Sequence, residues 1–191
     1  MVYDVFMKLI AITGTLGAGK GAVVAYLEEK GFRHYSVREY LSREVTRRGL
    51  PPTRDSLRDV GNDLRKQHGA GYIIGELLRE ARVAGGDAII ESIRAAGEVA
   101  LLRAEAPECI LLAVDAPIKT RYERIVGRGS STDHVSFEKF KADEEREMAA
   151  SEPWDMNISA CMVAADVRLE NGGTLQELQS QTDAILKRIS A

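Results

Sequence analysis

Apolar residues in this chain follow two alternating patterns: short unbroken runs, and longer stretches spaced three or four apart. The run Leu9-Ile10-Ala11-Ile12-Thr13 ends in a glycine-rich turn and predicts a buried strand. From Lys20 to Lys30, Val23, Val24 and Leu27 recur at helical spacing, and Gly31 supplies a stop. Phe32 to Ser36 predicts a short second strand. Helices follow over Arg38–Arg48, after Thr53 with Leu57, Val60 and Leu64 on one face, and over Tyr72–Ala84. Ala88-Ile89-Ile90 is a third strand, and a helix lies around Val99–Ala104. Cys109–Val114 is the clearest apolar run and predicts a fourth strand. Pro117 opens a helix to about Arg128, and Phe137–Ala150 is a charged amphipathic helix. A fifth strand falls within Val163–Leu169, before a last helix capped by Thr174. Strands alternating with helices predict a parallel sheet covered on both faces. Ligands of such folds bind beyond the carboxyl ends of the strands.

Composition narrows the function classes. The 191 residues carry 26 Lys+Arg against 29 Asp+Glu, a net charge of −3. That balance argues against bulk nucleic-acid or membrane-surface binding. No apolar run approaches the roughly 20 residues that span a bilayer. Val2–Ile12 is broken by Asp4 and Lys8 and lacks the flanks of a signal sequence. Cys109 and Cys161 have no metal-ligand spacing and read as buried reduced thiols, so the expected location is cytoplasmic. His34, His68 and His134 form no spaced set and read as surface or packing residues. Trp154 is expected to anchor a loop onto the core.

The most informative stretch is Gly14-Thr15-Leu16-Gly17-Ala18-Gly19-Lys20, which fits the G-x-x-x-x-G-K phosphate-loop pattern between a strand and a helix. Glycines let the chain wrap an anion with its N–H groups pointing inward, and the helix adds its partial positive charge. Lys20 can reach the β- and γ-phosphates of a nucleotide. Gly21 and Ala22 extend the cradle, but neither carries the hydroxyl that usually helps hold Mg²⁺ after this lysine. Thr13 and Thr15 are nearby hydroxyls that can satisfy the turn or touch metal.

The ending Gly-Lys-Gly resembles the phosphate loop of adenylate kinases, and further segments extend the likeness over nearly the whole chain. Tyr122-Glu123-Arg124-Ile125-Val126-Gly127-Arg128 resembles the start of their lid. The resemblance implies Arg124 on the adenine and Arg128 on the transferring phosphates, roles that suit planar, permanently charged guanidinium. Arg121 adds a third guanidinium one turn earlier. Gly127, Gly129 and Ser130-Ser131-Thr132 suit a short lid that excludes water. Ile89-Ile90-Glu91-Ser92-Ile93-Arg94 is similar to the acid–Gly–Ile–Arg segment of archaeal adenylate-kinase-related proteins. It implies that Glu91 organises Mg²⁺ or takes the acceptor's proton, and that Arg94 binds the acceptor phosphate. Asp115, ending the fourth strand, is either a second metal-supporting carboxylate or a helix cap.

Tyr35-Ser36-Val37-Arg38-Glu39-Tyr40-Leu41 resembles the acceptor segment of these kinases, with Ser36, Arg38 and Arg43 as candidates for an anionic acceptor. Glu170-Asn171-Gly172-Gly173-Thr174 resembles a turn that lies beside adenine, also in dephospho-coenzyme A kinases, and Asn171 and Gly172 are its candidate contacts. The resemblance implies a three-layer P-loop fold with five parallel strands in the order 2-3-1-4-5. It implies one domain over 1–191: a core of 7–36, 86–120 and 160–191, a helical acceptor insert 37–85, and a lid with its following helix over 121–159. The expected activity is ATP- and Mg²⁺-dependent phosphoryl transfer to a small nucleotide, first a (deoxy)nucleoside monophosphate, by a monomer or homodimer. A dephospho-coenzyme A or modified-nucleotide kinase is the alternative within that class. A nucleotide-binding regulatory module with slow ATPase activity is the alternative outside it.

Overall fold

The computed structural model describes residues 7–128, 136–148, 152 and 154–189. Its centre is β1 (Leu9–Gly14), buried along its whole length. On one side β1 pairs with β3 (Ala88–Glu91), which pairs with β2 (Arg33–Ser36). On the other side it pairs with β4 (Ile110–Asp115), and β4 with β5 (Val167–Glu170). All four pairings are parallel and the order is β2-β3-β1-β4-β5, as expected.

Alternation along β1 sorts the core into two layers, because successive side chains in a strand point to opposite faces. Ile10 and Ile12 face α1 (Lys20–Glu29) and α9 (Leu175–Ile189), meeting Val23, Leu27, Leu178 and Ile185. Leu9 and Ala11 belong to the opposite layer. That layer is filled by α2 (Val37–Arg47), α3 (Arg54–His68), α4 (Tyr72–Ala84), α5 (Ala96–Glu105) and α8 (Ile158–Val163). Each fully buried Ile or Leu contributes about 1.5–3 kcal/mol. Two helices lie over the carboxyl end of β4: α6 (Ile118–Arg128) and α7 (Phe137–Met148), joined by the ring of Tyr122 against Phe137 and Phe140.

Several boundaries differ from the sequence expectation. The helix expected around Val99–Ala104 starts earlier, at Ala96, because the Glu98 carboxylate caps its first turn. Helix α8 fills the start of the Val163–Leu169 window, held by the Asn157 side chain accepting from Ala160 N, so β5 begins at Val167. A six-residue helix is too short to show periodicity. Trp154 is half-buried beneath the Lys66 ammonium, 5.9 Å away, and is not part of either core layer. Cys109 and Cys161 are free and buried in one layer, and burial pushes both thiols up to about 12. Among the described residues, no helix is long and apolar enough to cross a membrane. The lid residues Gly129, Ser130, Ser131 and Thr132 lie outside the described residues.

Candidate active site

The parallel register brings Ser36, Glu91, Gly14, Asp115 and Glu170 to one edge of the sheet. The phosphate loop leaves that edge from β1 and runs straight into α1. Its shape needs glycine. Gly17 and Gly19 have φ of 78° and 95°, in the left-handed region. A Cβ on Gly14 would stand 2.0 Å from Val114 O, and one on Gly19 would stand 2.1 Å from Asn171 Nδ2. The loop is therefore packed to the backbone on both sides.

Neighbours brace it. Asn171 Nδ2 donates to Ala18 O at 2.8 Å, while Asn171 N donates to Asp115 O at 2.7 Å. Thr15 Oγ1 donates to Asp115 Oδ1 at 2.7 Å, and Thr13 Oγ1 to Ile93 O at 2.8 Å. Buried Arg121 reaches Leu16 O at 3.3 Å, Ala116 O at 2.7 Å and the Glu144 carboxylate on α7. Arg121 is thus a brace rather than a third catalytic guanidinium.

Lys20 is buried, with Nζ on Gly14 O and Thr15 O at 3.0 and 2.9 Å. Burial, then the Arg94 charge and least Arg128, lower it to about 8, against the pull of Glu91 and Glu147. These charges therefore surround one ammonium. Glu91 is half-buried at the tip of β3. Burial pushes its carboxyl up, but His34, Lys20 and Arg94 outweigh that and hold it below the ordinary range. His34 Nε2 lies 3.4 Å from Glu91 Oε2, without an aligned hydrogen bond. Glu91 in turn raises the imidazole's pKa. His34, read from sequence as a packing or surface residue, belongs to this edge.

Arg124 lies between the loop and the turn after β5. Its Nη2 donates to Asn171 O at 2.9 Å. Its Nη1 is buried without a hydrogen-bond partner, and a Cβ on Gly19 would lie 3.8 Å from it. Arg128 ends α6 and is exposed, with its charge felt at Lys20. Gly172 is exposed beside Asn171, next to Pro117.

Other expected residues go elsewhere. Asp115 accepts at Oδ1 from Thr15 Oγ1 and Ala116 N, and at Oδ2 from Arg168 Nη2 at 2.8 Å, and so clamps the loop. The Asn171 side chain is likewise a loop brace. Ser36 caps α2, accepting from Glu39 N at 3.2 Å. Arg43 is exposed and pairs with Glu80 on α4 at 3.5 Å, beside the Tyr40 ring. Arg38 is exposed on the first turn of α2.

The structure adds residues that sequence reading missed. Arg94 Nη1 is 3.0 Å from Glu147 Oε2, and Arg54 Nη2 is 3.7 Å from Glu147 Oε1. Glu98, fully buried, accepts from Arg94 N, Ala95 N and the Arg65 guanidinium. The Glu147 signal was its phase: Phe140, Asp143 and Glu147 share one helical stripe, and all three are buried. Among the described residues, no group of three or more His, Cys, Asp or Glu could hold a metal ion.

Comparison with known proteins bears on the family and the fold. An AAA-domain family model matches residues 10–152. A UPF0200 protein of Methanosarcina barkeri is 31% identical over 182 residues, covering 94% of this chain and 95% of the relative. The chain belongs to the AAA-domain and UPF0200 families. A UPF0200 protein of Pyrobaculum aerophilum is 32% identical over 142 residues, 74% of this chain and 78% of the relative. Among solved structures, TT1252 from Thermus thermophilus matches with a TM-score of 0.62 at 22% identity, covering 95% of this chain and 97% of that one. Dephospho-CoA kinase from Campylobacter jejuni matches at 0.51 and 13%, covering 96% and 97%. At these identities the likeness establishes this UPF0200 chain's fold: a P-loop kinase-like α/β domain.

Proposed function

We propose that this protein is an ATP-dependent phosphotransferase that moves the γ-phosphoryl group to a small phosphorylated acceptor, first a (deoxy)nucleoside monophosphate. One observation carries the reading: the ammonium of Lys20, bonded to Gly14 O and Thr15 O of the phosphate loop, shares the carboxyl edge of the sheet with Glu91, and Arg94 follows β3 at that same edge. A phosphate-gripping cation, a strand-end carboxylate and guanidiniums at one sheet edge are the parts that phosphoryl transfer needs. The buried, unpartnered Arg124 Nη1 beside Gly19 and Asn171 supports a ligand on that side of the loop.

The residues fit a nucleotide better than they fit a fully protein-held Mg²⁺. Thr13, Thr15 and Asp115 are taken by the protein, and Gly21 has no hydroxyl. Glu91 would hold the ion through water, with phosphate oxygens supplying the remaining positions, a usual arrangement for this cation. When bound, MgATP supplies the activated phosphoryl group and part of its charge neutralisation. The chain's own work is then positional. Loop N–H groups and Lys20 grip the phosphates, Arg128 balances charge on the moving group, and Arg124 covers the base. Glu91, ionised at neutral pH, orders water around the metal; a monophosphate attacks through an ionised phosphate oxygen and gives up no proton, and only an acceptor that attacks through a hydroxyl would pass its proton to Glu91. Arg94 holds the acceptor's anion.

The test is ADP release from MgATP against a panel of ribo- and deoxynucleoside monophosphates and dephospho-coenzyme A, with Lys20→Ala as control. Release stimulated by one acceptor and lost in the variant supports the reading and names the acceptor. Tight ATP binding with slow, acceptor-independent hydrolysis supports instead a nucleotide-gated module, the reading that Gly21 favours.

A further inference from the structure

We infer that Arg54 and Arg94 together form the seat for the acceptor's phosphate, and that the Glu147 carboxylate is the seat's resident occupant, displaced when a phosphate monoester enters. The inference rests on the phosphotransferase reading and assigns Arg54 and Glu147, which that reading does not use.

Glu147 bridges two guanidiniums from separate parts of the chain, Arg94 after β3 and Arg54 at the start of α3. Two guanidiniums converging on one set of oxygens is the arrangement that binds phosphate by paired, charge-assisted hydrogen bonds. The carboxylate is nearly covered, at 9% side-chain exposure, whereas Arg94 and Arg54 are 26% and 38% exposed. The seat is therefore open on its cationic side and filled from within. It lies beside the phosphate loop, since Ile93, next to Arg94, is tied to the end of β1 by Thr13 Oγ1 donating to Ile93 O and by Ile93 N donating to Ile12 O.

The backbone under the seat is fixed. Arg94 N donates to Glu98 Oε2 at 2.7 Å, and Arg94 O accepts from Asn157 N at 2.7 Å. Glu98 is itself held by buried Arg65 on α3, the helix that carries Arg54. Exchange of occupant then needs only side-chain turns, with the frame in place. A carboxylate brings one negative charge and two oxygens. A phosphate monoester near neutrality brings up to two charges and three oxygens, so it outbids Glu147, whereas a neutral hydroxyl compound does not. The resident carboxylate thereby costs affinity for every anion but selects the dianion. It also keeps two guanidiniums from facing each other unpaired beside Lys20.

The experiment uses inorganic phosphate as the probe, with the P-loop filled by a non-hydrolysable ATP analogue and Mg²⁺ so that phosphate cannot take the nucleotide's place. Calorimetric titration is expected to show Glu147→Gln binding phosphate about tenfold more tightly than the unaltered chain, equivalent to about 1.4 kcal/mol. Arg54→Ala is expected to bind it more weakly. If Glu147→Gln does not fold, Glu147→Asp keeps the charge but draws it back by one methylene, and tighter binding by a smaller factor is expected. Unchanged or weaker phosphate binding in the folded variant overturns the inference and leaves Glu147 as a plain bridge. That result leaves the phosphotransferase reading standing. Failure of the analogue to bind overturns that reading and the inference with it.

Discussion

On the proposed phosphotransferase reading, the donor and acceptor halves of the cleft are built by opposite means. The phosphate-gripping part of the donor half is one contiguous stretch, Gly14 to Ala22, whose chemistry lies in backbone N–H groups and one lysine. Its braces, Asp115, Arg121 and Asn171, grip main-chain or hydroxyl groups of the loop. The acceptor half is a set of charge pairs spread from Arg54 to Glu147, in which side chains hold side chains. Backbone geometry is specific and hard to retune. Charge pairs can change partner while the frame stays still. A shared donor with varied acceptors would be served by this division, because sites rather than folds carry function.

The comparison can be broken most forcefully at Glu98. Its buried carboxylate satisfies Arg65 and two N–H groups of the Arg94 segment. Glu98→Ala strands the Arg65 charge and is expected to cost about 3–5 kcal/mol of stability by denaturant unfolding. A loss below 1 kcal/mol would mean that the acceptor frame does not depend on this pair.

On the donor side, Lys20→Ala is expected to lower kcat by about 10²–10³-fold with the fold retained, by steady-state ADP release and circular dichroism. Asn171→Ala removes one buried hydrogen bond to the loop and is expected to cost about 1–2 kcal/mol, with weakened nucleotide binding. If nucleotide affinity is untouched, the loop keeps its shape without that brace.

The smallest effect is a pH dependence. Lys20 loses its proton near 8 in the folded chain, against 10.5 ordinarily. Nucleotide affinity is therefore expected to be level below that point and to fall above it, by at most about tenfold per pH unit. Stability responds with the opposite sign. Between about 8 and 10.5 the unfolded chain binds the proton that the folded chain has lost, so this group's contribution to stability rises with pH. Lys20→Met should abolish both trends, and a pH slope that survives it would place the titration elsewhere.

This contrast also explains what could be read from residues alone. The strand order, the phosphate loop and the places of Glu91, Arg94 and Arg124 were legible because motif spacing and parallel-sheet topology determine them locally. The partners of Arg43 and Asp115 were not legible, because a charged residue's type does not say which neighbour claims it. Glu80 takes the first; Thr15 and Arg168 take the second. His34 escaped notice because its partner, Glu91, is on the neighbouring strand, 57 residues away by numbering, where no local pattern reports a contact. Glu147 was visible only as an acid in the apolar phase of α7.

One hydrogen bond carries a consequence for synthesis. The side chain that steadies the loop at Ala18 comes from Asn171, 153 positions later. A growing chain on the ribosome therefore makes its glycine loop early but cannot complete the brace until the segment after β5 has emerged. Nascent protein should gain firm nucleotide binding only once Asn171 has left the ribosome.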